Sequence, residues 1–358
     1  YALLSLMEQT GYMSRAAFVM DRFMSKIGLH GKSFIPMILG FGCNVPAIYA
    51  TRTIEKRETR LLTGLLIPFM SCSARLPVYL IFGIAFFPDR ANLVIFLLYL
   101  TGILVASGIA LLVSRLLFQG KSLSVMVLEL PEYQVPVAKN MLNYSWRQTS
   151  EFIRRAGTFI LGFSMVLWLL LNLPWGVTNP RDSYFGKASS ILAPTLAPAG
   201  FGNWESTGAL LSGLVAKELV VSSFSQIYGI PEEVNNSQAS ISFWQEIKEL
   251  STGLVSATAD AGKSFLDAHT PGITLVPQDP EKENLALSQA LQKAFTPLSA
   301  AAYLVFVLLY IPCVAAVGAQ KQEFGVKWAA LSVAITMVVP WILAVLVYQT
   351  GSLLGLGA

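Results

Sequence analysis

The sequence predicts an all-α integral membrane protein, a polytopic helical bundle that contains broken and re-entrant helices. Hydrophobic residues make up 54% of the 358-residue chain and charged residues only 13%, whereas soluble domains carry about 25% charged residues. Long uncharged runs recur, and prolines, small residues and thiols interrupt some of them. An interrupted membrane helix leaves backbone groups that need protein or water as partners, so such helices surround a cavity or a pathway.

Five uncharged runs have the length of about 20 residues that a helix needs to cover the hydrocarbon core. They are residues 33–51, 91–114, 156–180, 295–320 and 328–358. The chain opens with Tyr1, and no charged segment precedes an apolar one, so we expect no cleavable signal peptide. We expect instead a piece of a longer polypeptide that starts partway through a membrane domain.

Charge and cysteine content narrow the choice of partners. The formal net charge of +4 comes from basic residues that cluster beside the apolar runs, which favours a lipid bilayer and not nucleic acid. The three cysteines each lie in an apolar setting and do not form the pattern of a disulfide framework.

Basic residues orient the predicted spans. One group crowds a short connection and comprises Arg52, Lys56, Arg57 and Arg60. A second group lies in or beside another connection and comprises Arg115, Lys121, Lys139, Arg147, Arg154 and Arg155. The positive-inside rule predicts that both connections are cytoplasmic and that the turn at residues 88–90 is external.

Two further segments have a distinct character. Residues 138–155 have apolar side chains at helical spacing, which fits an amphipathic helix at the cytoplasmic interface or a surface helix packed on the protein. Residues 231–292 hold more acidic residues than lysines and no arginine, so we expect a soluble loop or small cap. Its acidic balance favours the outside, and its side depends on whether residues 206–229 cross the bilayer or enter and return. We favour the re-entrant alternative.

A faint internal repeat relates the two halves of the chain. Residues 42–50, a basic loop, residues 65–82 and a span from Asn92 form one series. Residues 214–224, the acidic loop, residues 307–324 and a span from Trp328 form the other. Paired interrupted segments in two halves indicate a transport site at the interface between repeats.

No enzymatic motif is predicted in this chain. Gly31-Lys32-Ser33 resembles the end of a phosphate-binding loop, but Lys26 occupies the position where that motif requires a glycine. The histidines are His30 and His269, and no Ser-His-Asp arrangement is visible. We therefore expect neither a nucleotide site nor a hydrolytic site here.

Thiols at the interrupted segments are the candidate metal ligands. Cys43 and Cys72 are able to ligate a first-row divalent ion, with the Asn44 amide and nearby carbonyls completing an exchangeable shell. Cys313, beside Pro312, is a weaker candidate. The alternative is that each cysteine is a small buried hydrophobe, which is the usual role of a free cysteine.

Three charged residues lie inside the apolar segments. Arg75 has three alternatives: it lines a water-filled passage, pairs with an acid, or caps the carbonyl end of a half-helix. Lys217 and Glu218 are adjacent, and adjacent helical residues point about 100° apart and do not simply neutralise one another. Glu218 either attracts a cation or forms a structural ion pair with Arg75 or Lys217. The residues predicted to line or gate the path are Gly42, Pro46, Met70, Ser71, Ser73, Arg75, Lys217 and Glu218.

These motifs resemble the prokaryotic ferrous iron transporter B family, FeoB. The stretch Gly40-Phe41-Gly42-Cys43-Asn44-Val45-Pro46-Ala47-Ile48 is similar to its first gate motif, and residues 68–79 are similar to its second conserved stretch. Residues 216–218 and 310–313 resemble the corresponding parts of the second gate repeat. Residues 130–133, 146–147 and 152–157 resemble the core element between the gates.

The resemblance implies Fe(II) uptake across the bacterial inner membrane by a multi-pass protein. It implies a first gate repeat in residues 1–118, a core element in 119–180, and a second gate repeat in 181–358 with an inserted polar loop at 230–294. The functional cysteines of the family map onto Cys43 and Cys72. GTP and Mg would act through an amino-terminal GTPase domain outside this chain. Further partners on this basis are small cytoplasmic accessory proteins of the same iron-uptake system and a second copy in a homo-oligomer.

Two functions of other classes remain open. The gate repeats are similar to those of concentrative nucleoside transporters, so one alternative is a transporter of an organic solute such as a nucleoside. A solute pocket offers several hydrogen-bonding side chains and aromatic walls, whereas these breaks offer thiols, one amide and small residues. The other alternative, a membrane-embedded signalling or scaffold module, has no need of broken helices or a central arginine.

Overall fold

Helices make up nearly all of the part of the chain that the computed structural model describes, which comprises residues 2–117, 133, 136–174, 180–228 and 282–355. No strand occurs in these ranges. The helices of the first part are α1 (Ala2–Gln9), α2 (Tyr12–Lys26), α3 (Phe34–Gly42), α4 (Asn44–Ala50), α5 (Arg57–Leu66), α6 (Leu76–Phe86), α7 (Ala91–Leu117) and α8 (Ala138–Asn172). Those of the second part are α9 (Tyr184–Leu196), α10 (Trp204–Val215), α11 (Leu219–Ile227), α12 (Lys282–Ala294), α13 (Pro297–Leu309), α14 (Val314–Phe324) and α15 (Val326–Leu353).

Four helical segments of the described chain are long and apolar enough to cross a membrane: Arg57–Phe86, Pro88–Leu116, Pro297–Phe324 and Val326–Leu353. The fold class predicted from the sequence, an all-α polytopic membrane protein, is confirmed. The predicted runs at 91–114 and 328–358 are mostly continuous helix, in α7 and α15. The uncharged-run criterion missed α5–α6, because Arg75 divides that segment.

The predicted span at residues 33–51 is instead a helical hairpin, α3–α4. The helices have nine and seven residues, so at 1.5 Å per residue each covers only about 14 and 11 Å, far less than a bilayer core of about 30 Å. Cys43 between them is extended, with φ −154° and ψ 131°. Lys32 Nζ lies 2.8 Å from Glu55 Oε1, which joins the chain just before α3 to the chain just after α4. The hairpin therefore returns to the side from which it enters.

A second hairpin, α10–α11, enters from the opposite end of the bundle. Ala216 interrupts it with φ −148° and ψ 137°, nearly the conformation of Cys43. Near its open end Phe224 packs against Phe82 and Phe295, with ring centroids 6.0 and 6.1 Å apart. The entering and returning arms lie side by side, because a Cβ on Gly208 would be 3.7 Å from Ile227 Cδ1. This geometry agrees with the re-entrant alternative for residues 206–229.

The two hairpins each precede a broken span and a continuous one. α5–α6 and α7 follow the first hairpin, while α13–α14 and α15 follow the second. Because the hairpins enter from opposite ends, the two series form an inverted repeat in the order that the sequence predicts. The division into units at 1–118, 119–180 and 181–358 stays a prediction.

Ionic contacts join the repeats at the end of the bundle that carries the basic loop. Glu323, whose side chain is only 4% exposed, accepts from Arg52 and from Arg60, whose Nη2 lies 2.6 Å away. Tyr49 Oη also donates to Gln322 Oε1 at 3.1 Å. The end of α14 therefore lies beside the basic loop.

The opposite end carries the turn at residues 88–90 together with α12. Gln292 at the end of α12 donates to the carbonyl of Ala85, close to that turn. The positive-inside rule predicts a cytoplasmic basic loop, and on that prediction α12 and the end of α15 would be external. Most of the inserted loop lies outside the described residues.

The amphipathic segment and the apolar run that follows it are one element. α8 continues unbroken for 35 residues, about 52 Å at 1.5 Å per residue, which exceeds the bilayer core by about 20 Å. The predicted end of the span at 156–180 is wrong, because the helix stops at Asn172. The prediction of a separate interfacial helix at 138–155 is also wrong, because these residues belong to the same helix. The helix runs through Arg154 without a break, so the polar segment and the apolar run form one continuous helix.

This topology predicts the outcome of cysteine labelling in intact cells. In a full-length background whose native cysteines are replaced by serine, Asp89→Cys and Leu354→Cys should react with an impermeant thiol reagent added outside. Glu55→Cys should react only after the cells are opened. All three side chains are exposed, so accessibility from each side is the only variable. Labelling of Glu55→Cys from outside would contradict the topology.

Candidate transport site at the helix breaks

Four helix breaks define the candidate site in the described chain. The hairpin tips break at Cys43 and Ala216, and the spans break at residues 70–72 and 310–313, all in extended conformations. Extended residues between helix ends expose carbonyls and amides that no helical partner satisfies. Such groups in a membrane protein either bind other protein groups or face a cargo.

The first hairpin tip contacts the break of the first span. Ser73 Oγ donates to the carbonyl of Gly42 at 3.0 Å, which joins the end of α3 to the turn that precedes α6. Cys43 is half-buried and Cys72 is 8% exposed. The thiols of Cys43, Cys72 and Cys313 are close enough to influence one another electrostatically.

The second hairpin tip contacts the break of the other broken span in a corresponding way. Lys217 Nζ donates to the carbonyl of Ile311 at 2.6 Å. The same nitrogen lies 3.0 Å from the centroid of the Tyr310 ring. A hairpin tip therefore packs against a broken span in each half of the molecule.

Arg75 is fully buried and links the two broken spans. Its guanidinium donates to the carbonyl of Pro68 at 3.3 Å, to that of Tyr310 at 3.1 Å, and to that of Leu308. These carbonyls lie at the ends of helical segments, so the capping alternative predicted for Arg75 is the one observed. The acid-pair alternative is wrong, since no carboxylate of the described residues forms an ion pair with Arg75 or Lys217.

Asn44 lies at the first tip, next to Cys43. Its side chain is 4% exposed, and its Oδ1 has no hydrogen-bond partner among the described residues. A buried amide oxygen without a partner costs about 1–3 kcal/mol. That oxygen is available to a cation or to a donor that enters the tip.

No three His, Cys, Asp or Glu side chains of the described chain are grouped closely enough to hold a metal ion together. A metal at these breaks would therefore need other donors besides thiols, such as the Asn44 amide, exposed carbonyls and water.

The other predicted path residues divide into two groups. Met70 and Ser71 are buried, and Ser71 Oγ is 2.8 Å from Tyr79 Oη, so both pack within the protein. Pro46 is half-buried beside the first tip, and Ser73 is exposed. Glu218 is exposed at the second tip and pairs with neither cation, so its predicted ion pair is wrong.

Sequence reasoning missed two polar contacts, the first of them at this site. The Tyr310 ring holds the Lys217 ammonium, and Gln320 Nε2 donates to the carbonyl of Gly64 at 2.9 Å. The signal for Gln320 was a polar residue near the end of an apolar segment, inside α14.

The fold and these breaks define a polytopic membrane protein with inverted repeats, the architecture of a membrane transport domain. Residues 1–86 and 153–327 match the family model Gate, described as nucleoside recognition, and residues 95–148 match the model described as ferrous iron transport protein B C terminus. The chain therefore belongs to the Gate family and represents the membrane portion of the FeoB type.

Relatives from several bacteria carry the same region. The chain is 38% identical over 356 residues to the Fe(2+) transporter FeoB of Staphylococcus aureus strain COL, covering 99% of this chain and 46% of the relative. It is 35% identical over 362 residues to the Fe(2+) transporter FeoB of Shigella flexneri, covering 98% and 46%. A Porphyromonas gingivalis protein named Fe(2+) transport protein A/Fe(2+) transporter FeoB fusion protein is 37% identical over 390 residues, covering 99% and 42%. The chain thus spans slightly less than half the length of these relatives, and no solved structure matches it.

Proposed function

We propose that this chain forms the transmembrane pathway for ferrous iron in a transporter of the bacterial inner membrane. The observation that carries the proposal is the first hairpin tip, where Cys43, the unpartnered Asn44 Oδ1 and the nearby Cys72 offer sulfur and oxygen donors at a helix break. The names of the relatives, which are Fe(2+) transporters, support the same cargo.

The donors at the first tip suit a divalent cation. The carboxyl end of α3, with partial negative charge, and the amino end of α4, with partial positive charge, meet at Cys43. The thiols, the Asn44 amide oxygen and the exposed carbonyls, and not a helix dipole, therefore attract the ion. Fe(II) accepts thiolate, amide and carbonyl ligands, and a thiol loses its proton more readily when a metal binds. In this mechanism Fe(II) exchanges water for Cys43 and Asn44, then contacts Cys72 as it passes the broken span.

The proposal includes regulation of the pathway by GTP. GTP and Mg would act through an amino-terminal GTPase domain of the intact protein, and its contacts would fall on the cytoplasmic basic loop and the polar part of α8. The Porphyromonas gingivalis relative joins a transport protein A to the transporter in one chain, which supports small accessory partners.

Uptake into vesicles distinguishes iron from an organic solute. Full-length protein reconstituted in liposomes should take up radioactive Fe(II), kept reduced by ascorbate, in a saturable manner. It should take up no labelled uridine above the level of protein-free vesicles. Saturable uridine uptake without Fe(II) uptake would overturn the proposal and favour a solute transporter.

A further inference from the structure

The residue that follows the extended one is different in the two hairpin tips. Asn44 follows the extended residue Cys43, and Lys217 follows the extended residue Ala216. Asn44 offers a buried oxygen that has no partner among the described residues, whereas Lys217 is only 2% exposed and its Nζ donates to the carbonyl of Ile311. The first tip therefore offers an unused oxygen acceptor, whereas the second tip holds a lysine nitrogen.

Two groups in direct contact with Lys217 Nζ are of the kind that bind cations. Its Nζ lies 2.6 Å from the carbonyl oxygen of Ile311 and 3.0 Å from the Tyr310 ring centroid. A ring face attracts a cation through its quadrupole, most strongly where water is excluded. The same nitrogen is within electrostatic reach of Arg75, Cys72, Cys313 and Glu218. We call Ile311 O and the Tyr310 ring the ammonium seat.

The seat is held rigidly. Arg75 binds the carbonyl of Tyr310 at 3.1 Å, and the Tyr310 ring stacks on Phe306 with centroids 5.5 Å apart. Gly213 leaves space for the Tyr310 hydroxyl, because a Cβ at that position would collide with Tyr310 Oη. The lysine side chain itself has a flexible four-carbon stem, unlike the Tyr310 ring and the Ile311 carbonyl that it contacts.

We propose that Lys217 is a tethered cation that occupies the ammonium seat and closes the second half of the pathway to iron. This inference rests on the proposed function. A divalent ion that advances from the first tip meets a like charge at the second, so it passes only when the ammonium leaves the seat. Lys217 thereby acts as a gate, and the seat becomes a transient cation site when the lysine has moved.

Two pairs of variants test the gate in full-length protein in liposomes without nucleotide. Lys217→Met keeps the length of the side chain and removes its charge, and Tyr310→Leu removes the ring. Each should raise basal Fe(II) uptake about tenfold or more, the factor expected from losing one strong buried cation contact. Lys217→Arg and Tyr310→Phe keep the charge and the ring, so each should raise uptake far less than the variant that removes the charge or the ring. Unfolding temperatures in detergent identify variants that fail to fold.

A second readout needs no iron transport. In purified protein with Cys43→Ser and Cys72→Ser, a cationic methanethiosulfonate reagent should modify Cys313 several-fold faster when Lys217→Met is added, and not when Lys217→Arg is added. Equal rates in the two would overturn the gate. If wild-type protein transports no Fe(II), the proposed cargo fails, but the Cys313 rates still decide whether Lys217 closes the path.

Discussion

Replacing Arg75 with leucine is expected to abolish Fe(II) uptake and to lower the stability of the membrane domain. The guanidinium donates to carbonyls of Pro68, Leu308 and Tyr310, and thus joins two broken spans that are far apart in sequence. Leucine would leave these buried acceptors without donors, each at a cost of about 1–3 kcal/mol. We expect a fall in unfolding temperature in detergent together with loss of uptake.

Two substitutions serve as controls for this result. Arg75→Lys keeps a positive charge but cannot reach three carbonyls with a rigid fork, so it should restore stability only in part. Arg90→Leu removes an exposed arginine from the turn at residues 88–90 and should leave both readouts unchanged. If the Arg75→Leu protein had the wild-type unfolding temperature and uptake, the two broken spans would not depend on Arg75 for their packing.

Replacing both Cys43 and Cys72 with serine is expected to reduce Fe(II) uptake by the full-length protein about tenfold or more at low iron concentration, by analogy with the 10–100-fold cost of disturbing a metal site. Serine keeps the size of the side chain but substitutes a harder, neutral oxygen for sulfur. Membrane insertion and unfolding temperature should stay near wild type, because both positions tolerate a small polar group at an opened turn.

Cys313→Ser is the matched control, since that cysteine also lies at a break but beside the second tip. Its effect on uptake should be smaller than that of the double variant. If uptake by the double variant were unchanged across a range of low iron concentrations, Cys43 and Cys72 would be packing residues and not iron ligands.

The fold class and the location of the breaks could be predicted from local features. Proline and small residues in uncharged runs indicated interruptions near Cys43, Cys72 and Pro312, and the structure has breaks at each. The hairpin at residues 33–51 could not be told from a span by composition alone. Its return depends on contacts such as Lys32 with Glu55, which join segments separated by the whole hairpin.

The partners of the buried cations could not be predicted for the same physical reason. Arg75 binds carbonyls more than 230 residues away in the chain, at Leu308 and Tyr310. Glu218, adjacent in sequence, suggested an ion pair for Lys217. The break at Ala216 instead turns Lys217 inward to the Ile311 carbonyl and leaves Glu218 exposed.

Anomalous scattering at the iron edge, from crystals of the full-length protein soaked anaerobically with Fe(II), tests the pathway most directly. The account predicts a peak at the first hairpin tip, within bonding distance of Cys43 Sγ and Asn44 Oδ1, that is lost in the Cys43→Ser, Cys72→Ser protein. Iron bound elsewhere in the membrane domain, with both hairpin tips empty, would contradict it.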